Sequence, residues 1–143
     1  MRKKRRDDDT PRTAREWARY YFDMGDHRRA VEQYHQVFGA ALDDRSLFPK
    51  DIKDLTRLAE SYWRLGRNSD AEEVYRKAIA VGEASGHRNG TAEQDCLKSY
   101  ARFLRDAGRT SQAEEREREA DALDEVIERN LREAVRKGRT GTK

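Results

Sequence analysis

A small residue, a glycine and an alanine recur three times at the same offsets: Ala18, Gly25, Ala30; Ala59, Gly66, Ala71; Ala101, Gly108, Ala113. The steps within each triplet are seven and five, and successive glycines lie 41 and 42 residues apart. A repeat at this period means one supersecondary unit used again and again, each burying a face against the next. The expected architecture is all-α, three stacked antiparallel helical hairpins closed by a long C-terminal capping helix. The usual business of such an array is holding another protein.

At 143 residues there is room for one domain. Hydrophobic residues make up 35% of the chain and charged residues 41%, which suits a thin array with much surface per residue. The net charge of +3 is a near-cancellation of 31 bases by 28 acids, so total charge does not mark a dedicated nucleic-acid binder. A single cysteine, Cys96, allows no intrachain disulfide and fits a reducing, cytoplasmic setting. No apolar run approaches the roughly 20 residues needed to span a bilayer. MRKKRRDDD at 1–9 lacks the apolar stretch of a secretory signal and reads as a mobile arm. Its basic residues have either no fixed role or a modest electrostatic docking role. The repeat domain is expected over 10–137 and a disordered tail over 138–143.

The first helix is expected from about Thr10 to Met24. Thr10–Pro11 offers one start, and Thr13 with Glu16 offers a capping box one turn later. Trp17, Tyr20, Tyr21 and Met24 form its apolar stripe, and Gly25 ends it. Asp26 caps the second helix, which carries Ala30, Val31, Tyr34, Val37, Phe38 and Ala41. After a connector over 43–50, Pro49 opens the third, which runs to Gly66. The fourth spans about Asn68 to Glu83, and the segment 82–90 connects it to the fifth, where Thr91 and Gln94 form a capping box. Ser111 and Glu114 box the sixth, whose stripe continues through Leu123, Ile127, Leu131 and Ala134 toward Lys137. Acid-before-base pairs line its polar side: Glu114–Arg118, Glu125–Arg129, Glu128–Arg132 and Glu133–Lys137.

Relative to each glycine, the residue four before is bulky (Tyr21, Tyr62, Leu104). Nine after come Tyr34, Tyr75 and Glu117, and twelve after come Val37, Ala78 and Ala120. This alternation of small and large positions resembles the tetratricopeptide repeat, most closely in LTRLAESYWRLGRNSDAEEVYRKAI at 55–79. The period exceeds that family's usual 34 and is similar to the 42-residue variety of kinesin light chains. HEAT and armadillo repeats share the period but do not explain the glycine and alanine offsets.

The resemblance implies a groove lined by the first helix of each hairpin. Its positions fall on Arg12, Arg15, Arg19, Phe22 and Asp23; on Lys53, Thr56, Glu60, Trp63 and Arg64; and on Asp95, Lys98, Arg102, Arg105 and Asp106. These fifteen carry eight bases and four acids, so the chain's positive excess is concentrated there. The function this implies is non-catalytic: an adaptor gripping an acidic peptide or protein segment, with arginine forks on carboxylates and Phe22 and Trp63 as anchors. The same bases also read as solvated helix surface, and the two aromatics as core. A chaperone-binding carboxylate clamp would fall on Arg15, Arg19, Arg57, Asp95 and Ser99, where the family has lysine, asparagine, asparagine, lysine and arginine. Asp95 would repel such a ligand, so that mode is not expected.

No constellation for catalysis, a cofactor or a metal is apparent. His27, His35 and His87 are too scattered for a metal pair and read as surface residues, and Cys96 lacks an activating histidine. Two rival functions remain: a nucleic-acid-associated regulator using the arm and groove arginines, and a homo-oligomeric scaffold joined through exposed Trp17, Tyr20 or Phe38.

Overall fold

The computed structural model describes residues 9–44 and 46–141; the basic stretch of the arm and the last two residues lie outside them. Among the described residues there are seven α-helices and no strand. Helix α1 is Ala14–Asp23, α2 His27–Phe38, α3 the single turn Ala41–Asp44, α4 Ile52–Arg64, α5 Asn68–Ala84, α6 Gly90–Asp106 and α7 Thr110–Gly141. A 3₁₀ turn, Pro49–Asp51, leads into α4. The pairs α1/α2, α4/α5 and α6/α7 form three antiparallel hairpins, and α4 also packs on α2 and α6.

The three hairpin turns are chemically alike because the same backbone conformation is needed at each. Gly25, Gly66 and Gly108 have φ of +81°, +78° and +77°, the left-handed region where a Cβ is strained. The amide of the following residue then reaches back to the last helical turn: Asp26 to Tyr21 O, Arg67 to Tyr62 O and Arg109 to Leu104 O, all at 2.8 Å. Asp26 caps α2 by accepting from the Arg29 amide. At the equivalent places Arg67 and Arg109 have no accepting side chain and instead reach forward to Asp70 and Gln112.

Close approach of paired helices requires small side chains at the crossing. Ala18, Ala59 and Ala101 are 0–1% exposed, and so are Ala30, Ala71 and Ala113 opposite them. Large residues fill the spaces between: Tyr34, Tyr75, Leu55, Leu58 and Leu104 are fully buried. Tyr75 stacks on Tyr100 with ring centroids 5.0 Å apart.

Several boundaries differ from the sequence expectation. Helix α1 starts at Ala14, with Thr13 and Glu16 completing the capping box, so Thr10–Pro11 precedes the helix. Helix α2 stops at Phe38 because Gly39 turns at φ +47°, which puts Ala41 in a separate turn. Asn89, not Thr91, occupies the cap position of α6, and Gln94 donates to Ala120 O and Asp124 Oδ1 on α7. Ser111 lies inside α7, which begins immediately after the Gly108 turn. That helix continues to Gly141, so residues 138–141 are helical instead of a tail. Glu128 pairs with Arg132 as expected, whereas Glu133 takes Arg136.

On α1 only Ala18 is buried; Tyr20 and Met24 of the expected stripe are 44% and 66% exposed, since α1 packs on one side alone. Phe38, offered as an exposed residue, is buried against Tyr34.

Gly82 shows how tightly the second and third hairpins meet. A Cβ there would lie 2.4–2.8 Å from the side chain of Glu93, which is itself buried and held by His87 Nδ1 at 2.9 Å. Gly82→Ala is therefore expected to lower stability by about 1–3 kcal/mol despite alanine's better helix propensity. Thermal unfolding checks this; an unchanged or raised midpoint would contradict the packing.

Candidate functional site

The first helices of the three hairpins share one face. A depression of about 270 Å³ on it is lined by Phe22 of α1, by Lys53, Thr56, Arg57 and Glu60 of α4, and by Ala92, Asp95, Lys98 and Arg102 of α6. Lys53/Arg57 and Lys98/Arg102 are each four apart, so each helix presents two cations on one side. Four basic side chains thus face two acidic ones. Phe22 is half-buried and edge-on to His27. Glu60 is held in place by the Ser99 hydroxyl at 3.1 Å. Thr56 is buried and donates its proton to Ile52 O, so it contributes shape and not a free donor.

Of the fifteen groove positions, the structure brings Phe22, Lys53, Thr56, Glu60, Asp95, Lys98 and Arg102 around this depression. The remaining eight do not line it. Arg15 and Arg19 turn onto Asp54, a fully buried carboxylate of α4 that also takes Arg57 and the Tyr34 hydroxyl. Arg15 reaches Asp51 as well. Burial alone would raise the Asp54 carboxyl, but the hydrogen bonds from Arg19, Arg15 and Tyr34 outweigh it and hold it below the usual range. These two arginines are therefore the lock between the first two hairpins. Arg105 is paired with Glu117 bidentately, its Nε and Nη2 donating to the two carboxylate oxygens. Trp63 packs on Phe103, donates to Asp106 and lies under the Arg64 guanidinium, so it is an inter-hairpin wedge. Arg12 is exposed on the segment before α1.

The hub at Asp54 was hidden in the sequence because nothing local distinguishes a buried aspartate from a solvated one. Arg57, considered only as a clamp position, joins both the hub and the depression.

A larger depression, about 1020 Å³, lies elsewhere, between α5 and the connector after α2, with Leu42, Leu47, Pro49, Ala80, Val81 and Ala84 among its lining. Most of its charges are paired: Glu73 with Lys77, and Glu72 with Arg76 and Arg109. The hydrogen bond from Arg109 above all draws the Glu72 carboxyl down to about 2. The connector residues that lengthen the repeat beyond 34 build one wall of it.

The histidines each bond a neighbouring side chain, His35 from an exposed position and His27 and His87 half-buried. His27 Nδ1 meets Ser61 Oγ at 2.9 Å, and burial together with Arg64 lowers its pKa. His35 bonds the Tyr62 hydroxyl, and His87 holds Glu93. Cys96 is fully buried, and burial pushes its thiol up to about 12, so it is not a poised nucleophile. Among the described residues no cluster could hold a metal ion, and no helix is long and apolar enough to cross a membrane.

No curated protein and no solved structure matches the chain. The tetratricopeptide repeat family model matches residues 55–81, most of α4 and most of α5. The middle hairpin of this all-α stack is therefore similar to a tetratricopeptide repeat, a unit that generally mediates protein–protein interaction.

Proposed function

We propose that the chain is a non-catalytic adaptor that holds an acidic peptide segment against the face shared by α1, α4 and α6. The observation that carries this reading is the depression with Lys53, Arg57, Lys98 and Arg102 on its walls and Phe22 at its edge. Lys53, Lys98 and Arg102 are exposed there. A carboxylate-bearing segment would gain charge-assisted hydrogen bonds from the walls and partial desolvation from their curvature. Glu60 and Asp95 would set register by repelling acids placed opposite them. The 41- and 42-residue spacing supports the long-period, kinesin-light-chain-like variety of the repeat.

The test uses a labelled glutamate-rich peptide and fluorescence anisotropy. Lys98→Glu with Arg102→Glu, both exposed positions, is expected to weaken binding by at least about tenfold while leaving unfolding unchanged. Equal affinity for both proteins would remove the groove assignment. Tighter binding to duplex DNA than to the peptide, with a steep salt dependence, would favour the nucleic-acid reading instead.

A further inference from the structure

Three cations of the depression on α1, α4 and α6 are unpaired. Among the described residues the side chains of Lys53, Lys98 and Arg102 form no ion pair and no hydrogen bond; Arg57 alone is engaged, giving Nη1 to Asp54. By contrast, exposed Arg76 pairs with Glu72 and Arg132 with Glu128, each one helical turn away. Asp95 lies three residues before Lys98 without pairing to it.

Position decides what these charges can take. Helices α4 and α6 lie side by side on this face, since Ser99 donates to Glu60 and Trp63 packs on Phe103. Counted back from the glycine after each of these helices, Lys53 and Asp95 are both at thirteen, Thr56 and Lys98 at ten, and Glu60 and Arg102 at six. The two acids therefore stand at opposite ends of the depression, and Arg57 and Lys98 occupy its middle. Its lining charges sum to +2, four bases against two acids. Its volume of about 270 Å³ falls just under the ~300 Å³ lower end of small-ligand sites, so one side chain can enter and a run of side chains cannot. A second carboxylate laid along the depression would approach Glu60 or Asp95. One glutamate brings a single negative charge. A phosphoryl group brings about −1.5 to −2 and three acceptor oxygens on the head of one side chain.

We infer that the acidic group this face selects is a phosphorylated serine or threonine of the bound segment, seated between Arg57 and Lys98, with Lys53 and Arg102 reaching it from the two ends. This rests on the peptide-binding reading above and narrows it. Arg102 donates its free guanidinium fork to phosphate oxygens, and the lysines add point charges. Phe22, half-buried at the edge, offers an apolar contact to a flanking residue of the segment. Glu60 and Asp95 then disfavour segments whose acidity is spread over several carboxylates.

Fluorescence anisotropy tests this with three labelled peptide pools, degenerate in uncharged residues on both flanks and identical but for a central phosphoserine, glutamate or serine. The phosphoserine pool is expected to bind at least about tenfold more tightly than the glutamate pool, and the serine pool more weakly than either. Lys53→Ala with Lys98→Ala, both exposed, is expected to abolish that preference with the unfolding midpoint unchanged. Arg88→Ala with Arg118→Ala removes the same charge from exposed positions outside the depression and is expected to keep it. A glutamate pool bound as tightly as the phosphoserine pool overturns the phosphate assignment and leaves the acidic-peptide reading standing. No binding of either pool, nor of the glutamate-rich peptide, removes both. A preference that survives Lys53→Ala with Lys98→Ala, or is lost equally with the control pair, overturns the assignment. So does inorganic phosphate binding as tightly as the phosphoserine pool.

Discussion

Replacing Asp54 by alanine is expected to destabilise the protein by about 3 kcal/mol, with the first hairpin loosened most. The carboxylate is fully buried and accepts from Arg15, Arg19, Arg57 and Tyr34, so its removal leaves four donors without their acceptor. The estimate sits at the low end for a broken buried ion pair because the arginine side chains are 22–45% exposed and can turn to water. Tyr34, with no exposure, cannot. Urea unfolding gives the total, and amide exchange in α1 should rise more than in α6. An unchanged midpoint would mean the hub contributes nothing. The pH dependence follows from the sign of the shift. The folded carboxyl titrates below its unfolded value of about 3.9, so its contribution is complete above that pH and fades as pH falls through the folded value. Asp54→Asn should flatten the acid limb of the stability curve below about pH 4.

Tyr75→Ala is expected to cost about 3–5 kcal/mol, the range for deleting a buried aromatic ring. Tyr75 is fully buried, stacked on Tyr100 and tilted against Phe103, at the junction of the second and third hairpins. Its hydroxyl lies 2.7 Å from Ser99 Oγ. Ser99 gives its only proton to Glu60, so Tyr75 is the donor in a chain running from Tyr75 to Ser99 to Glu60. Tyr75→Phe keeps the ring and loses that bond, at about 1 kcal/mol. Chemical denaturation of the three proteins separates the two contributions, and a Phe variant as unstable as the Ala variant would place the effect in the hydrogen bond. Because Glu60 lines the depression, the Phe variant should also change peptide affinity more than its small loss of stability suggests.

The triplets of alanine and glycine determined the hairpin count, the helix order and the three left-handed turns. Those are local or pairwise demands: a helix exit needs a residue that tolerates positive φ, and a close crossing needs a missing side chain. Tyr34 and Tyr75 as core follow from the same register. About half of the positions expected to line a groove do line the depression, since Lys53, Lys98 and Arg102 owe their place to helical phase alone. The other half depended on partners distant in the chain. Arg15 and Arg19 carry the same charge and phase as Lys98 and Arg102, but Asp54 lies 39 and 35 residues away, and only the packing of α1 on α4 brings it within reach. Arg105 and Trp63 are likewise withdrawn by Glu117 and Asp106. Sequence order thus decides which face a side chain occupies; whether its charge is available on that face is decided by which opposite charge the tertiary fold delivers, because ion pairing acts through space and carries no trace in the local pattern.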